Sequence, residues 1–82
     1  MKFQALHHLK TKSKLLKMCD TLQEAKLTIE NLGARYEGLS YYGGFPSFSL
    51  KDRMCSIQGA HFINKEKFIV CSIPAEEIEK VF

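Results

Sequence analysis

The stretch from Asp20 to Gly33, Asp-Thr-Leu-Gln-Glu-Ala-Lys-Leu-Thr-Ile-Glu-Asn-Leu-Gly, restricts the fold more than any other part of the chain. Leu22, Ala25, Ile29 and Leu32 recur at steps of three, four and three, so at about 100° per residue they share one narrow stripe of a helix surface. Asp20 or Thr21 can cap the start, because Thr21 with Glu24 and Asp20 with Gln23 both satisfy orphan N–H groups of the first turn. Glu24 also suits the positive end of the helix. Gly33 supplies the left-handed residue that ends it. The spacing therefore predicts a helix over about 21–32 whose single apolar stripe needs a sheet to cover.

The flanking segments read as that sheet. If Met1 to Leu9 is extended, Phe3, Ala5, His7 and Leu9 share a face; if it is helical, Phe3, Leu6 and Leu9 come together. The extended reading is preferred, since Lys14 to Cys19 also reads as a strand and Lys10-Thr11-Lys12-Ser13 makes a hairpin loop. A single helix through Met18 is the alternative, and it scatters Leu15, Leu16 and Met18 around its axis. Beyond the Asp20 helix, Arg35 to Tyr42 is a strand with Gly38 as a bulge or a point of close backbone approach. Gly43-Gly44 turns the chain into Phe45 to Leu50, a short strand that Pro46 confines to an edge or a strand start. Lys51-Asp52-Arg53 is a charged turn. Met54 to Ile63 alternates, with Cys55, Ile57, Gly59, His61 and Ile63 expected to point inward. The polar connection Asn64 to Lys67 leads to Phe68 to Ile73, the most apolar stretch, expected to be a central strand. Pro74 then opens a short C-terminal helix over about 74–81, with Glu76 and Glu77 at its positive end and Ile78, Val81 and Phe82 on its apolar side. The expected fold class is α+β: a small antiparallel sheet of four to six strands, one amphipathic helix on a face, and a short helix at the C-terminus.

Eighty-two residues make a single domain, 1–82, and a chain of this size buries about 60–65% of its unfolded surface, so the core is modest. A content of 45% hydrophobic and 26% charged residues excludes a disordered chain. The longest apolar run, Phe68 to Cys71, falls far short of the roughly 18 residues of a membrane span, and no signal-peptide core occupies the first twenty residues. The expectation is a cytoplasmic protein with no membrane contact.

Cys19, Cys55 and Cys71 are odd in number and lack Cys-x-x-Cys spacing, which argues against a disulfide framework and a zinc ribbon; they are expected to be small buried apolar residues. Adding His7, His8 and His61 does not assemble a metal site, because the adjacent His7 and His8 point to opposite faces of a strand. Neither Cys55 nor Cys71 with His61 comes with an orienting group. The carboxylate pairs Glu76/Glu77 and Glu37/Asp52 have ordinary structural roles, and the Gly43-Gly44 turn lacks the pattern of a phosphate cradle. No catalytic residue, metal or cofactor is assigned, and the chain is expected to be non-enzymatic.

Charge placement carries the functional signal. Residues 1–19 hold Lys2, Lys10, Lys12, Lys14 and Lys17 and no acid, while the whole chain is only +3, so the remainder is net acidic. Such asymmetry favours an acidic partner. Tyr41, Tyr42 and Phe45 flank a flexible turn, and rings so placed are common interface anchors. The expected function is a small binding module, a regulator or inhibitor that meets an acidic protein surface through Lys10, Lys12, Lys14 and Lys17 and through the rings of Tyr41, Tyr42 and Phe45. The alternative is a binder of RNA or single-stranded DNA, with the same lysines on phosphates and Tyr36, Tyr41, Tyr42 or Phe45 stacked on bases. Against it, Arg35 and Arg53 are the only arginines, and the pI of about 8.8 is low for such a domain.

Overall fold

A computed structural model of the chain describes residues 1–40 and 44–82. In order the elements are β1 (Lys2–His8), β2 (Ser13–Cys19), α1 (Leu22–Glu30), β3 (Arg35–Leu39), β4 (Pro46–Leu50), β5 (Arg53–Phe62), β6 (Phe68–Cys71) and α2 (Ala75–Val81). Six antiparallel strands form one sheet and two helices complete an α+β fold, as the patterning predicts. β1 and β2 are a hairpin, which excludes a single helix through Met18.

The sheet runs β2-β1-β5-β4-β3, with β6 also on β5. The ten-residue β5 is its spine. Along one side β1 pairs with it from Lys2↔Ala60 to His8↔Met54. On the other side β4 takes its first half, from Leu50↔Arg53 to Ser47↔Ser56, and β6 takes its last half, from Gly59↔Cys71 to Phe62↔Phe68. β4 and β6 thus share one side end to end. The expectation of a central strand at Phe68 to Ile73 is corrected: β6 is a four-residue edge strand, with Phe68, Ile69 and Val70 exposed by 37%, 53% and 55%. With β1 on the far side of β5 and β4 on the near half, the only pairing left to β6 leaves its outer side open.

α1 begins as its sequence dictates. Thr21 is the N-cap and its Oγ1 accepts from the Glu24 N–H at 3.1 Å, while the Glu24 carboxylate reaches back to the Asp20 N–H at 3.3 Å. The helix stops sooner than 21–32: Asn31 is the C-cap, and Gly33 follows with φ +87°. Leu22, Ala25 and Ile29 are buried, but Leu32 is not, because beyond the last turn the 100° step no longer carries it onto the stripe.

The core lies between α1 and one face of the sheet, where Phe3, Ala5, Cys19, Phe48, Cys55 and Ile57 meet Leu22, Ala25 and Ile29. Cys19 and Cys55 are buried free thiols, and burial pushes both upward in pKa. Cys71 is free and half-buried. On β5 the expected inward face holds at Cys55, Ile57 and Gly59 and fails at His61 and Ile63, where the sheet thins to the edge strand β6 and the chain then leaves β5. Gly38, at φ +100°, sits at the register shift between β3 and β4 and is the bulge anticipated there. At the C-terminus Ile78 joins the core, and Phe82 stacks on Tyr36 at 4.6 Å and lies 5.8 Å from Phe48. The Lys26 ammonium donates to the Val81 carbonyl at 2.9 Å and rests 5.2 Å from the Phe82 ring, which ties α2 to α1. Among the described residues no helix is long and apolar enough to cross a membrane.

Candidate functional site

Strand register determines which charged residues become neighbours. His8 pairs with Ser13 of β2 and with Met54 of β5, and Leu50 of β4 pairs with Arg53. The β1–β2 turn and the β4–β5 turn therefore leave the sheet at the same end. That end carries Lys10, Lys12 and Lys14 from the first hairpin and Lys51 and Arg53 from the second, with Asp52 as the carboxylate among them. None of these five cations is in an ion pair among the described residues. Each is free to act on something outside the protein.

The other two N-terminal lysines face inward in charge. Lys2 holds Asp20 at 2.9 Å and Lys17 holds Glu24 at 2.7 Å, so the β1–β2 hairpin is pinned to the start of α1. The hydrogen bonds from Lys2 and Lys17 hold the Asp20 and Glu24 carboxyls below their usual range, and donating to Glu24 holds Lys17 above its own. All four groups are exposed, so these pairs orient the hairpin more than they stabilise it.

A cavity of about 370 Å³ opens at the basic end. Its polar wall is His7, Lys14, Lys51, Asp52 and Arg53. Its apolar wall is Leu16, Leu32 and Leu50, contributed by β2, the turn after α1, and β4. Leu16 comes to this wall through the β1–β2 irregularity: Ala5 faces Lys17 while Leu6 faces Leu15, so Leu16 is the extra residue of a bulge. The His7 Nε2 is shielded from solvent and has no hydrogen-bond partner among the described residues.

His8 projects to the opposite side of β1 from His7, as two adjacent strand residues must. Its Nδ1 lies 2.7 Å from Ser13 Oγ and its Nε2 lies 2.7 Å from Ser56 Oγ. A neutral ring can donate to one hydroxyl and accept from the other, and burial, followed by the neighbouring His7, lowers the His8 pKa. A serine on a histidine nitrogen is the first half of a nucleophile, but Ser56 is only 6% exposed and the residue on the far nitrogen is a hydroxyl, which cannot balance an imidazolium. The chain of hydrogen bonds cross-links β2, β1 and β5. Gln4, Ser56 and Ala60 are buried on the same side of the sheet, the one that carries no helix.

The aromatic candidates lie elsewhere. Leu39↔Pro46 stands at the end of the β3–β4 ladder remote from Arg35↔Ser49, so Phe45, just before β4, is at the end of β4 away from Lys10, Lys12 and Lys14, beside the middle of β5 where β4 gives way to β6. Phe45 is half-buried and its N–H donates to Ser40 Oγ at 3.1 Å. Tyr41 and Tyr42 lie outside the described residues. Tyr36, considered for base stacking, is packed against Phe48 and Phe82. Lys51 and Arg53 were not legible as site residues, because only the pairing of β5 with both β1 and β4 brings them beside Lys14, whereas His7 stands opposite Lys14 within the β1–β2 hairpin itself.

Fold and site define a class of molecule: a small α+β sheet domain with one electropositive end. Comparison with protein-family models, curated proteins and solved structures finds no match to this chain.

Proposed function

We propose that the chain is a small non-enzymatic binding module that sets the basic end of its sheet on an acidic surface of a partner protein and regulates or inhibits that partner by occupying it. The observation that carries this reading is the set of unpaired cations at one end, Lys10, Lys12, Lys14, Lys51 and Arg53, against Asp52. A concentrated positive end steers encounter with an acidic surface and raises the association rate at low salt. Lys17 supports the contact from behind by fixing the hairpin to Glu24. Phe45, with Tyr41 and Tyr42 beside it in sequence, belongs to a second contact, apart from the basic end. In this reading the protein acts in the cytoplasm, where its three free thiols stay reduced.

A nucleic acid would meet the same cations through phosphate. Against that reading, the ring of Tyr36 is packed on Phe48 and Phe82 rather than left open for a base to stack on. The test uses the full chain as bait in cell extract with and without nuclease, beside the Lys10→Glu/Lys12→Glu variant. A discrete protein retained by the parent, indifferent to nuclease, and retained about tenfold less by the variant supports the reading. Capture that disappears with nuclease transfers the function to nucleic acid, and equal capture by the variant removes the lysines from the contact.

A further inference from the structure

We infer that the cavity at the basic end is a binding site for a small organic phosphate, a phosphomonoester carried on an apolar or aromatic body. Lys14, Lys51 and Arg53 against Asp52 leave two net positive charges around one opening. A phosphomonoester carries a charge of about −1.5 to −2 at neutral pH, so it matches that balance where a single carboxylate would not. Arg53 offers the forked donor suited to phosphate oxygens, and Lys14 and Lys51 add mobile point charges. His7 contributes a ring that lines the cavity and whose Nε2 finds no protein partner among the described residues. Leu16, Leu32 and Leu50 give the opposite wall nothing to offer an ion, and this wall selects a ligand with an apolar part.

Lys51 adds a separate indication. It occupies the β4–β5 turn at φ +58°, a conformation that glycine adopts freely and a lysine does not. A two-residue hairpin has no need of a lysine there, and the side chain carried at this strained position lines the cavity. The substitution Lys51→Gly therefore separates binding from folding, because it removes the ammonium while relieving the backbone.

The experiment titrates the full chain with phenyl phosphate, inorganic phosphate and phenol, following backbone amide shifts and heat of binding. Phenyl phosphate should bind saturably with shifts at His7, Leu16, Lys51 and Arg53, inorganic phosphate about tenfold more weakly, and phenol not at all. Lys51→Gly and Arg53→Gln should each weaken phenyl phosphate by about fivefold or more, with Lys51→Gly unfolding at no lower temperature than the parent. Lys10→Gln/Lys12→Gln, which touches the proposed partner contact but not the cavity wall and reverses no charge, should weaken phenyl phosphate less than either cavity variant does, so failure of the one reading is distinct from failure of the other. Absence of saturable phenyl phosphate binding overturns the site, as does unchanged affinity in both Lys51→Gly and Arg53→Gln. Equal affinity for inorganic phosphate overturns the apolar half of the ligand.

Discussion

At the scale of single residues, two glycines that look alike in sequence do different work. Gly33 sits at φ +87° with nothing within 4 Å of where a Cβ would stand, so it is there for its backbone alone. Gly59 has an ordinary strand backbone, yet a Cβ on it would meet the Cys71 carbonyl oxygen at 2.7 Å and Cys71 Sγ at 2.9 Å. It is there for space, where β6 closes on β5. Gly33→Ala should cost about 1 kcal/mol, the strain of a left-handed alanine. Gly59→Ala should cost about 1–3 kcal/mol, since backbone oxygen cannot move aside without pulling β6 away. Urea unfolding of both variants decides the order; a Gly59→Ala variant milder than Gly33→Ala would mean that β6 yields easily. The first glycine was legible in sequence, because a glycine after an apolar helical stripe is a helix stop. The second was read only as one position of an inward-facing row, since close approach of Cys71 depends on a pairing between strands that no local pattern specifies.

At the scale of elements, local chemistry identified most pieces and misplaced one. The capping pair of Thr21 and Glu24, the bulge at Gly38 and the tight connection at Asn64 are all short-range, and in the last case the Asn64 side chain accepts from the Glu66 and Lys67 N–H groups at 2.9 and 3.0 Å. Burial of β6 was not short-range. Four apolar residues in a row mark a strand, but only competition for the sides of β5 sets whether that strand lies inside or at the edge. The sheet's edges are consequently unequal. β2 carries Lys14 and Lys17, charges that discourage pairing with another strand, whereas β6 presents Ile69 and Val70 more than half exposed. At high protein concentration the chain should self-associate through β6, and Val70→Lys should suppress that association while shifting stability by no more than about 0.5 kcal/mol. Sedimentation velocity over a concentration series measures it; a parent chain that stays monomeric throughout, or a variant that associates equally, would show β6 to be inert.

At the scale of the whole molecule, charge is sorted along the sheet: acids are matched to Lys2 and Lys17 beside α1, and unpaired cations collect at the far end. Half of that end could be read from sequence, as a run of lysines without acids, and half could not, since Lys51 and Arg53 are more than thirty residues from Lys14 and join it only through β5. The same sorting dictates how stability answers to acid. His8 has a lowered pKa in the fold, from burial first and from His7 second, so between its folded value and its ordinary value of 6.5 the unfolded chain binds more protons than the native one. Its contribution is full above 6.5 and is lost as pH falls below it. Asp20 and Glu24 are also lowered, chiefly by the hydrogen bonds from Lys2 and Lys17, and their contribution is lost further down, below ordinary values of 3.8 and 4.5. Lys17, raised by Glu24, acts only on the alkaline side, above 10.5. Acidification should therefore weaken the fold in two steps. Denaturant unfolding at about pH 7.5, 5.5 and 3.5 should show the parent losing stability over both intervals, while His8→Gln, which keeps a donor and an acceptor for Ser13 and Ser56, should be flat over the first and fall only over the second. If His8→Gln loses as much as the parent between about pH 7.5 and 5.5, the proton that loosens the sheet is taken up elsewhere, and the hydrogen-bonded bridge across β2, β1 and β5 does not govern the acid response.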